Sequence, residues 1–312
     1  MKLFTPGLTP SADRDIMNIG VFYSLLSAFL WSTTFVCARY LMVNQLVDPL
    51  TLALIRFALG AFMLLIFGLR CRHKALTLPR GRDLGTMAIL ALFGIGGMSV
   101  LLFFGQQRTT AINSSLLMQL NPVFILFLGL FIGERFSLIN LAGILVSMVG
   151  ALLVVGILTP HGLQVSWCQN AGDLLVLGAG LCWAIYSVFS KSTTNRLGGY
   201  AATTWVMLLG AAELALAWLI APGHCIWPRG WLAWSLILYM AIFPTALAFF
   251  AWYEALRLID LSLLNVMQYL TPAFTIVLAW GLLGERIFLT NAVGIGIVLA
   301  GVALIGFRQK TE

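Results

Sequence analysis

Only two charged residues, Arg56 and Glu213, fall well inside ten long apolar stretches, and this scarcity fixes the solvent in which the chain must fold. The stretches run over 20–41, 51–69, 84–106, 111–132, 137–157, 172–192, 200–221, 231–253, 262–283 and 288–307. Each is close to the ~20 residues that carry an α-helix across the hydrocarbon of a bilayer. No water reaches that region, so the backbone polar groups of a lone apolar stretch must be satisfied within the segment, which a helix does. The expected fold class is an all-α polytopic membrane protein with ten transmembrane helices. Composition agrees: 9% of residues are charged and the mean hydropathy is +0.98, whereas a soluble domain carries roughly a quarter charged residues.

The net charge of +7 would suggest a nucleic-acid partner in a soluble domain, but here basic residues are read by location, and no such partner is expected. With ten spans both termini share one face. Thirteen of the eighteen Lys and Arg lie on that face, five of them within 70–83, against Arg39, Arg108, Arg229 and Arg286 on the other. The positive-inside rule then puts both termini in the cytoplasm. Residues 1–15, with Pro6, Pro10, Asp13 and Asp15, read as a short cytoplasmic tail and not as a cleavable signal; 308–312 form a second tail. No room is left for a soluble domain, which excludes nucleotide-driven pumping by this chain alone. There is no P-loop, nucleophile elbow or pair of catalytic carboxylates, and the five cysteines and His73, His161 and His224 show no metal-ligand spacing. Neither cofactor, metal nor catalytic residue is expected. Cys168 and Cys225 fall in outer loops, where an oxidising compartment would permit a disulfide.

The second constraint is a duplication. Gly133-Glu134-Arg135 returns 151 residues later as Gly284-Glu285-Arg286, and nine of the 21 positions from Gly133 to Leu153 are identical at that offset. Trp31 matches Trp183, Arg39 matches Lys191, Arg108 matches Arg257, Met118-Gln119 matches Met267-Gln268, and Pro122 matches Pro272, the offset drifting between 149 and 152. Each copy holds five spans. An odd number sends the second copy into the membrane upside down, so two inverted five-helix repeats are expected. They occupy 16–157 and 172–307, joined by an outer linker loop over 158–171. Two such halves have two near-equivalent packings, one open to each side, and the site falls at their seam.

Spans 4 and 9 are the least lipid-like. Ser115, Gln119 and Pro122 recur at i, i+4, i+7, and Asn265, Gln268 and Pro272 at i, i+3, i+7, so each trio follows one helix face. Amides facing lipid are costly. The preferred reading is that Gln119 and Gln268, symmetry-related and on opposite sides of the midplane, line a substrate path; the alternative is that the amides bond neighbouring helices at about 0.6–2 kcal/mol each. Asn121 adjoins the first stripe and Tyr269 the second, and Tyr186 and Tyr253 add further polar-tipped rings. Pro122 and Pro272 weaken their helices in mid-membrane, as hinges or as static kinks. Trp31 and Trp183 sit at the centres of their spans, away from the interfaces where tryptophan collects; core packing and a cavity wall both fit them. Arg56 and Glu213 both lie in the outer half, with depths ~5 Å apart. Each is the obvious candidate partner of the other; the alternatives are that Arg56 holds a substrate carboxylate and Glu213 carries a coupling proton, or that each has a purely structural role. Glu134 and Glu285 precede spans 5 and 10, where a negative charge suits a helix N-terminus. Gly143 and Gly150, like Gly294 and Gly301, are seven apart on one face and permit close helix contact.

These features together resemble the drug/metabolite transporter superfamily, specifically its ten-helix EamA-type exporters. The likeness rests on Leu30-Trp31-Ser32-Thr33-Thr34-Phe35, Arg56-Phe57, Phe250-Ala251-Trp252-Tyr253, and the runs from Asn121-Pro122 and Thr271-Pro272 to the two Gly-Glu-Arg turns, and it covers about 18–307. The resemblance implies export of amino acids or similar small metabolites across the bacterial inner membrane, through a cavity framed by spans 3, 4, 8 and 9. Small multidrug relatives carry a glutamate in their first helix. Span 1 here has no acid, and span 6 has only Asp173 at its outer mouth, so proton-coupled drug efflux is the second reading. A membrane enzyme or a non-transporting scaffold ranks below both. The expected partners are a small-molecule substrate, the lipid bilayer and, where transport is coupled, a proton; the state is monomer or homodimer.

Overall fold

The computed structural model describes residues 10–70, 79, 81–131, 138–154, 158–159, 162–163, 167–220, 226–259, 267–268, 270–286 and 289–308. Helix α1 spans Pro10–Val43 and α2 Pro49–Arg70. A rod then runs through α3 (Arg82–Ala91), a π-helical segment (Leu92–Gly97) and α4 (Met98–Gln106). Next come α5 (Ala111–Met118), α6 (Asn121–Phe131), α7 (Leu138–Val154), α8 (Trp167–Leu197) and α9 (Gly199–Ile220). A second composite rod joins α10 (Gly230–Ala241), a π-helical segment (Ile242–Leu247) and α11 (Ala248–Leu258), and α12 (Leu270–Leu283) and α13 (Leu289–Arg308) follow.

Among the described residues six helices are long and apolar enough to cross a membrane, within α1, α2, the first composite rod, α8, α9 and the second composite rod; Leu270–Leu283 and Ala292–Gly301 are shorter apolar helices. Large apolar side chains such as Phe22, Leu219, Ile220, Trp231 and Leu289 point outward, the polarity expected of a protein dissolved in lipid. Serine, threonine and Gln106 are buried inside instead.

Three boundaries depart from expectation. The segment drawn as tail over 1–15 is helical from Pro10, where α1 begins; proline is pre-set for the first helical position. The linker 158–171 is not all loop: Leu158–Thr159 pairs antiparallel with Gly162–Leu163, and α8 starts at Trp167. Span 111–132 is interrupted, because Gln119 and Leu120 form a tight turn between α5 and α6.

Both π-helical segments have local causes. Pro244 lacks the N–H that would bond the Met240 carbonyl in an α-helix. The Thr245 hydroxyl takes that carbonyl at 2.8 Å, and the ladder widens by one residue. The segment in the first rod carries Gly94, Gly96 and Gly97, which weaken helical preference. The two lie 150 residues apart, and their neighbours match: a methyl on Gly60 would come 2.5 Å from Thr245 Cγ2, and one on Gly210 2.5 Å from Ile95 Cβ. The starts of α1 and of the span in α8 correspond too. A methyl on Gly20 would come 2.5 Å from Ile259 Cγ2, and one on Gly172 2.9 Å from Arg108 Cβ. The two halves are thus built on the same junctions.

Candidate substrate site at the seam of the halves

Near the end of α5 the chain tightens into i→i+3 bonds, from Gln119 N to Leu116 O at 3.0 Å and from Leu120 N to Leu117 O at 3.1 Å. Pro122 has no N–H to continue the α-helical ladder, so the break precedes it. The break aims the Gln119 amide across the seam, where Nε2 donates to the Gln268 carbonyl at 3.4 Å. Gln268 Nε2 in turn donates to Ser27 Oγ at 3.0 Å, with Ser24 O at 3.5 Å. Equivalent residues of the two halves therefore meet against α1. Ser24 Oγ, on the residue whose carbonyl faces Gln268 Nε2, and Asn121 Oδ1, two residues past Gln119 in the chain, are buried without a hydrogen-bond partner among the described residues. Orphaned buried polar atoms are costly, and a polar ligand is one way to satisfy them. Pro272 is buried in α12. Asn265 and Tyr269 lie outside the described residues, as do the side chains of Pro122 and Tyr253.

Trp31, half-buried on α1, packs against Phe249 at 5.5 Å and Trp252 at 5.4 Å between ring centroids. Trp183 has a different setting: its ring neighbour is Tyr186 of the same helix at 5.2 Å, and Tyr186 lies over Gly94. The two tryptophans are equivalent in sequence but not in surroundings.

Of the readings left open for Arg56 and Glu213, the ion pair does not form, although α2 and α9 lie side by side and are tied by Trp218 Nε1 donating to Thr51 Oγ1 at 3.0 Å. Arg56 turns toward α1 and the second π-helical segment instead. Its Nε donates to Thr245 Oγ1 at 2.9 Å and Nη2 to Thr34 Oγ1 at 3.5 Å, and its guanidinium carbon lies 4.9 Å from the Phe57 and 5.9 Å from the Phe103 ring centroid. Glu213 Oε2 is buried with no hydrogen-bond partner among the described residues. Nearby, Tyr239 donates to Thr33 Oγ1 at 3.1 Å. Thr245 and Tyr239 went unnoticed in the sequence. The signal that could have found Thr245 was Pro244 beside it, a proline inside an apolar stretch.

A polar network gathers around the start of α5. Glu285 caps α5, its Oε1 and Oε2 accepting from Ala111 N at 2.8 Å and Ile112 N at 3.1 Å. Thr110 Oγ1 accepts from Asn113 N at 3.0 Å and Thr110 O from Ser114 N at 3.0 Å, so the first turn of α5 is satisfied. Arg39 approaches Glu285 at 3.9 Å and donates to Gln106 O at 2.6 Å. Asp173 accepts from the Thr109 hydroxyl. The Gly-Glu-Arg turn at 133–135 lies outside the described residues, as do Cys225 and the Cys168 side chain.

Helices that expose apolar surface all round and bury a polar seam between two like halves define a multi-pass integral membrane protein of transporter class. The chain belongs to the EamA-like transporter family, which matches residues 18–156 and again 170–307. It is similar to an uncharacterized transporter of Archaeoglobus fulgidus, 29% identical over 91% of this chain and 96% of that protein. It is also similar to a probable terminal-alkyne amino-acid exporter of Streptantibioticus cattleyicolor, 28% identical over 94% of this chain and 95% of that protein. A solved crystal structure aligns at a TM-score of 0.64 and 22% identity over 93% of this chain and 95% of its own, a likeness of fold. The protein is a transporter and not an enzyme.

Proposed function

We propose that the chain is a secondary transporter that exports small polar metabolites, amino acids or related compounds, across the bacterial inner membrane. Ten spans in two inverted five-helix halves, 16–157 and 172–307, rock about the seam with both termini in the cytoplasm. The observation that carries this reading is the meeting of Gln119 and Gln268, together with the unpaired Asn121 Oδ1 and Ser24 Oγ. A relative bearing the name of an amino-acid exporter supports the substrate class. Glu213, with a buried oxygen lacking a partner among the described residues, is the acid we assign to proton coupling.

Counterflow of labelled amino acids in proteoliposomes tests the reading. Exchange should exceed that of empty vesicles and fall roughly tenfold in Gln119→Leu or Gln268→Leu, about the effect of one lost hydrogen bond, with yield and unfolding midpoint unchanged. Exchange no faster than through empty vesicles across a panel of all amino acids would sink it. Variants inactive only through loss of folding would assign the amides to helix packing. A pH gradient that drives Glu213→Gln as well as the parent would remove Glu213 from coupling.

A further inference from the structure

The two halves use the same junctions, and at one point they differ in chemistry. Arg56 stands four residues before Gly60 on α2; its counterpart, four before Gly210 on α9, is Val206. Gly60 seats on Thr245 and Gly210 on Ile95. Thr34, which meets Arg56, corresponds to Tyr186. Trp31, Phe249 and Trp252 correspond to Trp183, Ser99 and Leu102. One junction is thus cationic with a three-ring cluster beside it, whereas its twin has Val206 in place of the cation and, among the equivalent positions, only the Trp183–Tyr186 pair.

The twin is a built-in control. Val206 is buried there, so the fold closes this junction without a charge. The guanidinium is therefore not a packing requirement, and a cation at membrane depth is too expensive to keep without use. Arg56 is 6% exposed, and no carboxylate lies within ion-pair distance among the described residues. A guanidinium offers five N–H donors; those of Arg56 meet two threonine hydroxyls, one at 3.5 Å, which is poor geometry. Thr34 and Trp31 are three apart on one face of α1, and Thr245, Phe249 and Trp252 follow one face of the second composite rod, so the cation and the aromatic cluster form one strip.

We propose that Arg56 is the anchor for the substrate's carboxylate, with Trp31, Phe249 and Trp252 receiving an apolar group on the same molecule. This deepens the exporter reading and rests on it: the carboxylate replaces the threonine hydroxyls when α1 and the second rod part during alternating access. Bidentate capture of a carboxylate suits the guanidinium fork. The asymmetry also gives the substrate a fixed orientation, which two equal half-sites would not.

Purified full-length protein in detergent, titrated with 3-phenylpropanoate, its amide and 3-phenylpropylamine while the unfolding midpoint is followed, tests the anchor. The carboxylate should stabilise the protein, with the amide and amine about tenfold or more weaker, as expected when a buried charge pair loses one partner. Arg56→Lys should keep part of the preference and Arg56→Met should lose it. Equal stabilisation by acid and amide in the parent protein overturns the proposal even if Arg56→Met fails to fold, as does no response to any of the three at millimolar concentration. A carboxylate preference retained in folded Arg56→Met overturns it too. Counterflow separates the two readings: exchange of amines without carboxylate binding keeps an exporter and removes the anchor, and carboxylate binding without exchange does the reverse.

Discussion

Glu285→Ala is expected to lose about 2–4 kcal/mol of stability, because hydrogen bonds to a charged acceptor contribute about 1.5–3 kcal/mol each and partial exposure reduces the total. The Glu285 carboxylate satisfies two amides at the start of α5, those of Ala111 and Ile112, and stands 3.9 Å from Arg39. Alanine leaves both amides bare at the start of α5 and removes the neighbour of a half-buried cation. Glu285→Gln keeps one carbonyl acceptor and should fall between alanine and the parent. Unfolding midpoints in detergent would rank parent, glutamine and alanine in that order. A single shared midpoint would show that the cap contributes nothing. Since α5 leads directly to the break at Gln119, a frayed α5 should also slow amino-acid exchange, with alanine the slower variant.

How much of this was legible in the sequence differs from element to element. The helical class and the apolar rods followed from run length alone, and α9, found at Gly199–Ile220, lies one residue from the expected 200–221. The pairing of Gln119 with the Gln268 backbone was approachable, because the duplication assigned both to one seam. What stayed hidden was direction. Arg56 and Glu213 lie at similar depth on adjacent helices, yet a guanidinium follows its χ angles, and these turn it to Thr245 and Thr34. Spacing along a chain does not fix rotation about a helix axis. Glu285 makes a related point: its sequence neighbour is α13, and the amides it caps lie 173 and 174 residues earlier. The π-helical segments were marked by Gly94, Gly96, Gly97 and Pro244 only as weak points. That Gly60 and Gly210 face them from other helices is a tertiary fact.

The glycine stripe allows a sharper test, because it predicts opposite signs for chemically identical changes. Gly150 and Gly301 hold α7 against α13. A methyl on Gly150 would sit 2.6 Å from Val298 N and 2.7 Å from Gly294 O, and one on Gly301 2.7 Å from Gly143 O. These are backbone atoms, which cannot swing aside as a side-chain tip can. Gly150→Ala and Gly301→Ala should therefore each cost about 1–3 kcal/mol, the usual range for overpacking, or more where two helix axes must separate. Gly296 is on the same α13, but a methyl there meets nothing within 4 Å. Gly296→Ala should gain up to about 1 kcal/mol, because alanine is the better helix former. Unfolding midpoints of the three variants in one detergent decide the matter. Destabilisation at 150 and 301 with a gain at 296 would establish the close contact of these helices, whereas three gains would mean that α7 and α13 stand further apart than the seven-residue glycine spacing demands.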